Sequence, residues 1–191
     1  MNTEVLLIPG LYDSGPEHWQ TRWQEMHPEF HRLRQADWET PKCDDWVAAL
    51  DRAVAETGPE VVLVAHSLGC ALVAHWARRA VRSGQGLCAH AALLVAPSDV
   101  EADIYPPGTE GFAPMPLDPL PFPSLVVASE DDPWISLERA RFFARAWGSD
   151  FISIGNAGHI NSASGLGAWH LGLAFLGKLR RASGETVPDD D

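Results

Sequence analysis

Ser67 stands in the stretch Val64-Ala65-His66-Ser67-Leu68-Gly69, with a small residue two positions to either side. A continuous apolar run, residues 61–65, precedes it, and a long helical pattern rich in small residues, 68–81, follows. This is the nucleophile-elbow pattern, in which a tight strand-to-helix turn presents a serine hydroxyl and bulky neighbours would collide. A helix N-terminus behind Ser67 also favours negative charge developing there. Serine is a favoured helix cap as well, but the strand before and the helix after make nucleophilic chemistry the stronger reading.

A serine nucleophile needs a base, and the base needs an orienting acid, in the chain order Ser, acid, His. His159 lies in the small-residue loop 155–161, directly after the apolar run 151–154. The end of a strand is where a base would sit. His170 falls in the last helical pattern, where packing or exposure suits it better. The run 125–128 leads into Ser129-Glu130-Asp131-Asp132-Pro133-Trp134, which offers Glu130, Asp131 and Asp132 as acids. Spacing does not choose among them, and at least one is expected to cap the following helix. An oxyanion hole needs two backbone N–H donors. Leu68, after the nucleophile, would give one, and Leu11, in the glycine-containing loop 9–15, the other. His66 either faces substrate or packs with a hydrogen bond. His18 and Trp19 either wall the pocket or cap and pack the first helix.

The elements that must position these groups are strands at 5–8, 61–65, 91–95, 125–128 and 151–154, with a weaker one near 31–35. Each of the five is a short apolar run of the kind buried on both faces. Helical spacing alternates with them at 17–26, 44–56, 68–81, 135–147 and 166–179. Strands alternating with helices give βαβ units, a mostly parallel sheet and helices on both faces, a three-layer α/β/α sandwich. Residues 97–123 break the rhythm and hold 8 of the 15 prolines. A loop of that length is usually functional, and a short lid over the site is expected there.

Several matching stretches make the chain resemble the small serine hydrolases of the retinoblastoma-binding protein nine and YdeN-like type, within the α/β-hydrolase superfamily. They are Pro9-Gly10, Ser14-Gly15-Pro16-Glu17-His18-Trp19-Gln20 with Trp23, the elbow, Asp132-Pro133, and Gly158-His159-Ile160-Asn161 with Gly165-Leu166-Gly167-Ala168-Trp169. The likeness runs from about residue 5 to 176. It implies about six parallel strands with no separate cap domain. It also implies that the acid is the aspartate directly before proline, so that the triad is Ser67, Asp132 and His159. The chain departs from the family at Trp169-His170-Leu171-Gly172, where relatives carry Trp-Pro followed by an acidic residue. The expected reaction is hydrolysis of an ester or related small acyl substrate through an acyl-enzyme. Phe112, Trp134 and Trp169 are candidates for an apolar pocket. A protein-binding module that keeps the fold is the alternative, as is an acyltransferase or lyase on the same triad.

The 191 residues suit one domain, 1–182, with an acidic tail at 183–191 expected to be disordered. A formal charge of −12 disfavours nucleic acid and anionic membranes as partners. No apolar run approaches the roughly 20 residues of a membrane span. Met-Asn-Thr-Glu at the start has no basic region, so no signal peptide is expected. Cys43, Cys70 and Cys88 are odd in number and widely spaced, against a disulfide scaffold or zinc site. No metal or cofactor and a cytoplasmic location are therefore expected. Eight tryptophans are many, and some are expected to line a pocket.

Overall fold

A computed structural model describes residues 3–58, 60–84 and 89–182. The expected tail 183–191 and Cys88 lie outside these residues. Six parallel strands form one sheet: β1 (Glu4–Ile8), β2 (His31–Arg32), β3 (Val61–His66), β4 (Ala89–Val95), β5 (Ser124–Ala128) and β6 (Asp150–Ser153). Their spatial order is β2-β1-β3-β4-β5-β6. All six residues of β3 are buried, as expected of a central strand covered on both faces. Alternate side chains of the same strand feed two cores. Leu63 and Ala65 point to one side with α2 (Cys43–Thr57), α3 (Leu68–Ser83) and α4 (Leu137–Trp147). Val62 and Val64 point to the other with α1 (Trp19–Met26) and α5 (His170–Ala182).

Helix starts differ from the sequence pattern where a cap intervenes. α1 begins after His18, whose Nδ1 accepts the Gln20 N–H. α4 begins after Ser136, whose Oγ accepts the Arg139 N–H. α5 begins only at His170, because Gly167 and Trp169 take positive φ values of 58° and 42° and hold the preceding stretch as a turn. The weak strand near 31–35 contracts to His31–Arg32.

Residues 97–123 are not a lid along their whole length. The Cys43 N–H donates to the Glu110 carbonyl, and the Trp147 indole donates to the Pro116 carbonyl. Phe112 is 1 % exposed and packs edge-on against Trp46, so it is core and not pocket wall. Its carbonyl accepts from His75 Nε2. The far half of the segment therefore belongs to the α2–α3–α4 face. Cys43 and Cys70 are buried free thiols, and burial pushes the Cys43 thiol up to about 12. Among the described residues no helix is long and apolar enough to cross a membrane.

Candidate active site

The turn from β3 into α3 holds Ser67 at φ 57°, ψ −123°, a strained conformation for a residue with a Cβ. Two glycines make room for it. A Cβ on Gly69 would lie 2.6 Å from the Ile8 carbonyl, and one on Gly10 would lie 2.7 Å from Ser67 Cβ. β1 and its loop can thus close on the elbow only with glycine at these positions. Gln20, fully buried, ties the same two strand ends to α1: its Nε2 donates to the carbonyls of Ile8 and Val64.

Around Ser67 three chain segments converge. His159 Nε2 is 2.8 Å from Ser67 Oγ. His159 Nδ1 is 2.9 and 2.8 Å from the two carboxylate oxygens of Asp132. With its Nδ1–H given to the carboxylate, the neutral ring presents Nε2 as an acceptor to the Ser67 hydroxyl. The Asp132 side chain is fully buried, and its Oδ1 also accepts the Trp134 N–H. Asp131 and Glu130 are exposed and turned elsewhere. Asp131 accepts from Ser129 Oγ and the Gly158 N–H, which hold its carboxyl below the usual range. Glu130 accepts from Ser153 Oγ.

The loop that carries His159 is fixed by side chains from outside it. His66 Nε2 donates to the His159 carbonyl at 2.9 Å, and the Trp19 indole donates to the Ile160 carbonyl at 2.8 Å. The Trp23 indole donates to the Ala168 carbonyl further along. Burial, with His18 and His159 as neighbours, lowers the His66 pKa and keeps its ring neutral. His18 packs on His66 with ring centroids 4.7 Å apart. Burial, then Arg32 and His159, bring His18 down to about 3 against a smaller opposing effect of Asp13. Its Nε2 is buried without a partner.

Most of the expected pocket residues are buried side chains. Trp19 is 1 % and Trp169 4 % exposed, and they pack on one another at 5.1 Å within the α1–α5 core. A Cβ on Gly172 would lie 2.2 Å from the Trp169 ring, so glycine here accommodates the buried indole. Of the aromatic candidates Trp134 alone is partly exposed, with its ring 6.5 Å from His159. Leu11 is half-buried beside the elbow. Its loop bonds through the N–H groups of Tyr12 and Asp13, and none of these bonds uses the Leu11 N–H. His170 is exposed at the start of α5, away from this cluster.

Ser98 was not singled out by the sequence. It follows β4, is 1 % exposed, and its Oγ is 2.8 Å from Ser67 Oγ. Its only sequence signal is its place just past the C-terminal end of a buried strand, where sites in parallel sheets gather.

A family profile described as serine hydrolase matches residues 5–178. A putative YdeN-like hydrolase from Pectobacterium atrosepticum is 35% identical, with a TM-score of 0.80 over 94% of this chain and 91% of that one. The ydeN gene product of B. subtilis is 18% identical, with a TM-score of 0.70 over 94% of this chain and 100% of that one. A thermophilic esterase from Thermogutta terrifontis is 18% identical, with a TM-score of 0.66 over 96% of this chain and 91% of that one. A search of curated proteins found no match. The sheet order, the elbow and the extent of these matches place the chain in the serine hydrolase family, on the α/β-hydrolase fold.

Proposed function

We propose that the protein hydrolyses an ester or related small acyl substrate, with Ser67 as nucleophile, His159 as general base and acid, and Asp132 as the group that orients His159. One observation carries this reading: a continuous hydrogen-bonded chain from the Asp132 carboxylate through His159 to Ser67 Oγ, every link between 2.8 and 2.9 Å. Ser67 Oγ adds to the acyl carbon as its proton passes to His159 Nε2. That proton leaves with the alcohol as the carbon–oxygen bond breaks. Water repeats the sequence and frees Ser67. Asp132 stabilises the imidazolium in both halves. The N–H groups of Leu11 and Leu68 receive the oxyanion. Three solved structures that the chain resembles are of Thermogutta terrifontis esterases, one of them holding butyrate, and they support an ester as the substrate. Trp134 and Leu11 supply the apolar surface beside the reacting carbon.

Turnover of a short p-nitrophenyl ester by wild type and Ser67→Ala tests this. Wild type should be active and the variant should fall to the background rate. A variant that keeps wild-type turnover would remove Ser67 from the chemistry. A wild type inert to the ester and to fluorophosphonate would favour a binding module over an enzyme.

A further inference from the structure

We propose that Ser98 is a second working hydroxyl of this site: it donates to Ser67 Oγ in the free enzyme and, once Ser67 is acylated, turns with Tyr105 to hold the water that deacylates it. The inference rests on Ser67 being the nucleophile.

Proton accounting at Ser67 fixes the direction of the resting bond. Ser67 Oγ has one proton, and the neutral His159 ring, with Nδ1–H on Asp132, takes it at Nε2. The 2.8 Å contact between Ser67 Oγ and Ser98 Oγ therefore has Ser98 as donor. Ser98 is all but fully buried, so it has no solvent alternative. Next to it stands Tyr105, whose hydroxyl is buried, approaches Ser98 and finds no partner in hydrogen-bond geometry. Burial, together with Tyr12, raises the Tyr105 phenol, so it remains a protonated donor. A buried unsatisfied hydroxyl is costly and needs an explanation.

Acylation supplies one. Ser67 Oγ becomes an ester oxygen, a poor acceptor, and its proton has left with the alcohol. Ser98 then loses its acceptor while Tyr105 still has none. Ser98 Oγ and His159 Nε2 each lie 2.8 Å from the oxygen that becomes the ester oxygen. A water entering there can accept from Ser98, which in turn can accept from Tyr105, and can donate to His159. In deacylation the water oxygen bonds to the acyl carbon, its proton passes to His159 Nε2 and on to Ser67 Oγ, and the Ser67 ester bond breaks. Ser98 and Tyr105 keep their own protons throughout and only orient the water.

The two half-reactions separate the possibilities. Fluorophosphonate labelling needs attack by Ser67 but no water. Turnover of p-nitrophenyl acetate needs both. In Ser98→Ala, deacylation should slow about tenfold more than labelling does, the size of one lost hydrogen bond to the water. Intact mass during turnover should then show one acetyl group accumulating per chain. Tyr105→Phe, which removes only the hydroxyl, should shift the same balance in the same direction by less. Ser98→Ala turning over at the wild-type rate without accumulation would overturn the proposal. So would labelling and turnover falling together, which is the mark of a structural role. If Ser98→Ala does not fold, Tyr105→Phe decides, and no acetyl accumulation in it overturns the proposal. Failure of wild type to label would instead overturn Ser67 as the nucleophile, and this proposal with it.

Discussion

Two segments reach Ser67 Oγ, one through His159 and one through Ser98, and they are held in different ways. The loop 155–161 is fixed close to its working residue: His66 bonds the His159 carbonyl itself, and Trp19 bonds that of the next residue. The segment 97–123 is held by its neighbours rather than at its working residue: next to Ser98, the Asp99 N–H donates to the Trp134 carbonyl and the Asp99 carboxylate pairs with Arg139 of α4. Further anchors lie at Glu110, Phe112 and Pro116, more than ten residues beyond Ser98. As the proposed base, His159 must be held within a fraction of an ångström of its proton, and its loop is clamped at the tip. The segment that bears Ser98 is docked to a different core, on the α2–α3–α4 side. Damage to its remote anchors at Phe112 and Pro116 should therefore register in stability before it registers in chemistry.

The comparison can be broken in order of expected effect. Asp132→Asn should lower kcat by about 10³–10⁴-fold, because the amide no longer fixes the His159 tautomer. Asp131→Asn, which weakens bonds from Ser129 Oγ and the Gly158 N–H, should cost about tenfold or less. Equal losses in steady-state kinetics would contradict the choice of acid. Trp19→Phe removes the donor to a buried carbonyl in the base loop and should cost about 1–3 kcal/mol in denaturant unfolding. It should also lower kcat by about tenfold, as the loop tip loosens. Trp147→Phe removes the donor to Pro116 and should cost a similar 1–3 kcal/mol. Its kcat should stay within about twofold of wild type, since that anchor is remote from Ser67. Matching kcat losses in the two tryptophan variants would erase the distinction between the segments.

The last effect concerns pH. His18 is held neutral, with its pKa lowered from 6.5 to about 3. Between those values the unfolded chain binds a proton that the native protein refuses, so the contribution of His18 is complete above pH 6.5 and falls as pH drops toward 3. The slope is at most about 1.4 kcal/mol per pH unit for one such group. His18→Asn keeps a side-chain oxygen for the Gln20 N–H and should make the fall of Tm with acid shallower. His66 and His75, also lowered by burial, keep it from becoming flat. An unchanged slope would contradict the burial assigned to His18.

What the sequence revealed, and what it hid, follows from the range of the interactions involved. The runs 61–65 and 91–95 read as buried strands because a two-faced strand must be apolar at every position. Ser67 was legible because the elbow demands small residues at fixed offsets, and His159 because it follows the last strand directly. Glu130, Asp131 and Asp132 share one turn, so composition could not rank them. Only the Asp-Pro resemblance pointed to Asp132, and only the fold turns that carboxylate toward His159. Phe112 and Trp169 misled because an aromatic residue in a loop reads alike whether it lines a pocket or docks in a core. Five indoles instead bond to backbone carbonyls or carboxylates: Trp19, Trp23, Trp46, Trp76 and Trp147. In four of them the acceptor is a carbonyl of a loop, so the tryptophan excess serves chiefly to fasten loops. Ser98 had no local signal beyond its position, since its partner lies 31 residues away in the chain.

The most direct test of Ser67 as the nucleophile is peptide mapping after reaction with a fluorophosphonate, in wild type, Ser67→Ala and His159→Ala. One adduct per wild-type chain is expected, on the peptide containing Ser67, with none in Ser67→Ala and strongly slowed labelling in His159→Ala. An adduct on another residue, or undiminished labelling of Ser67→Ala, would contradict it.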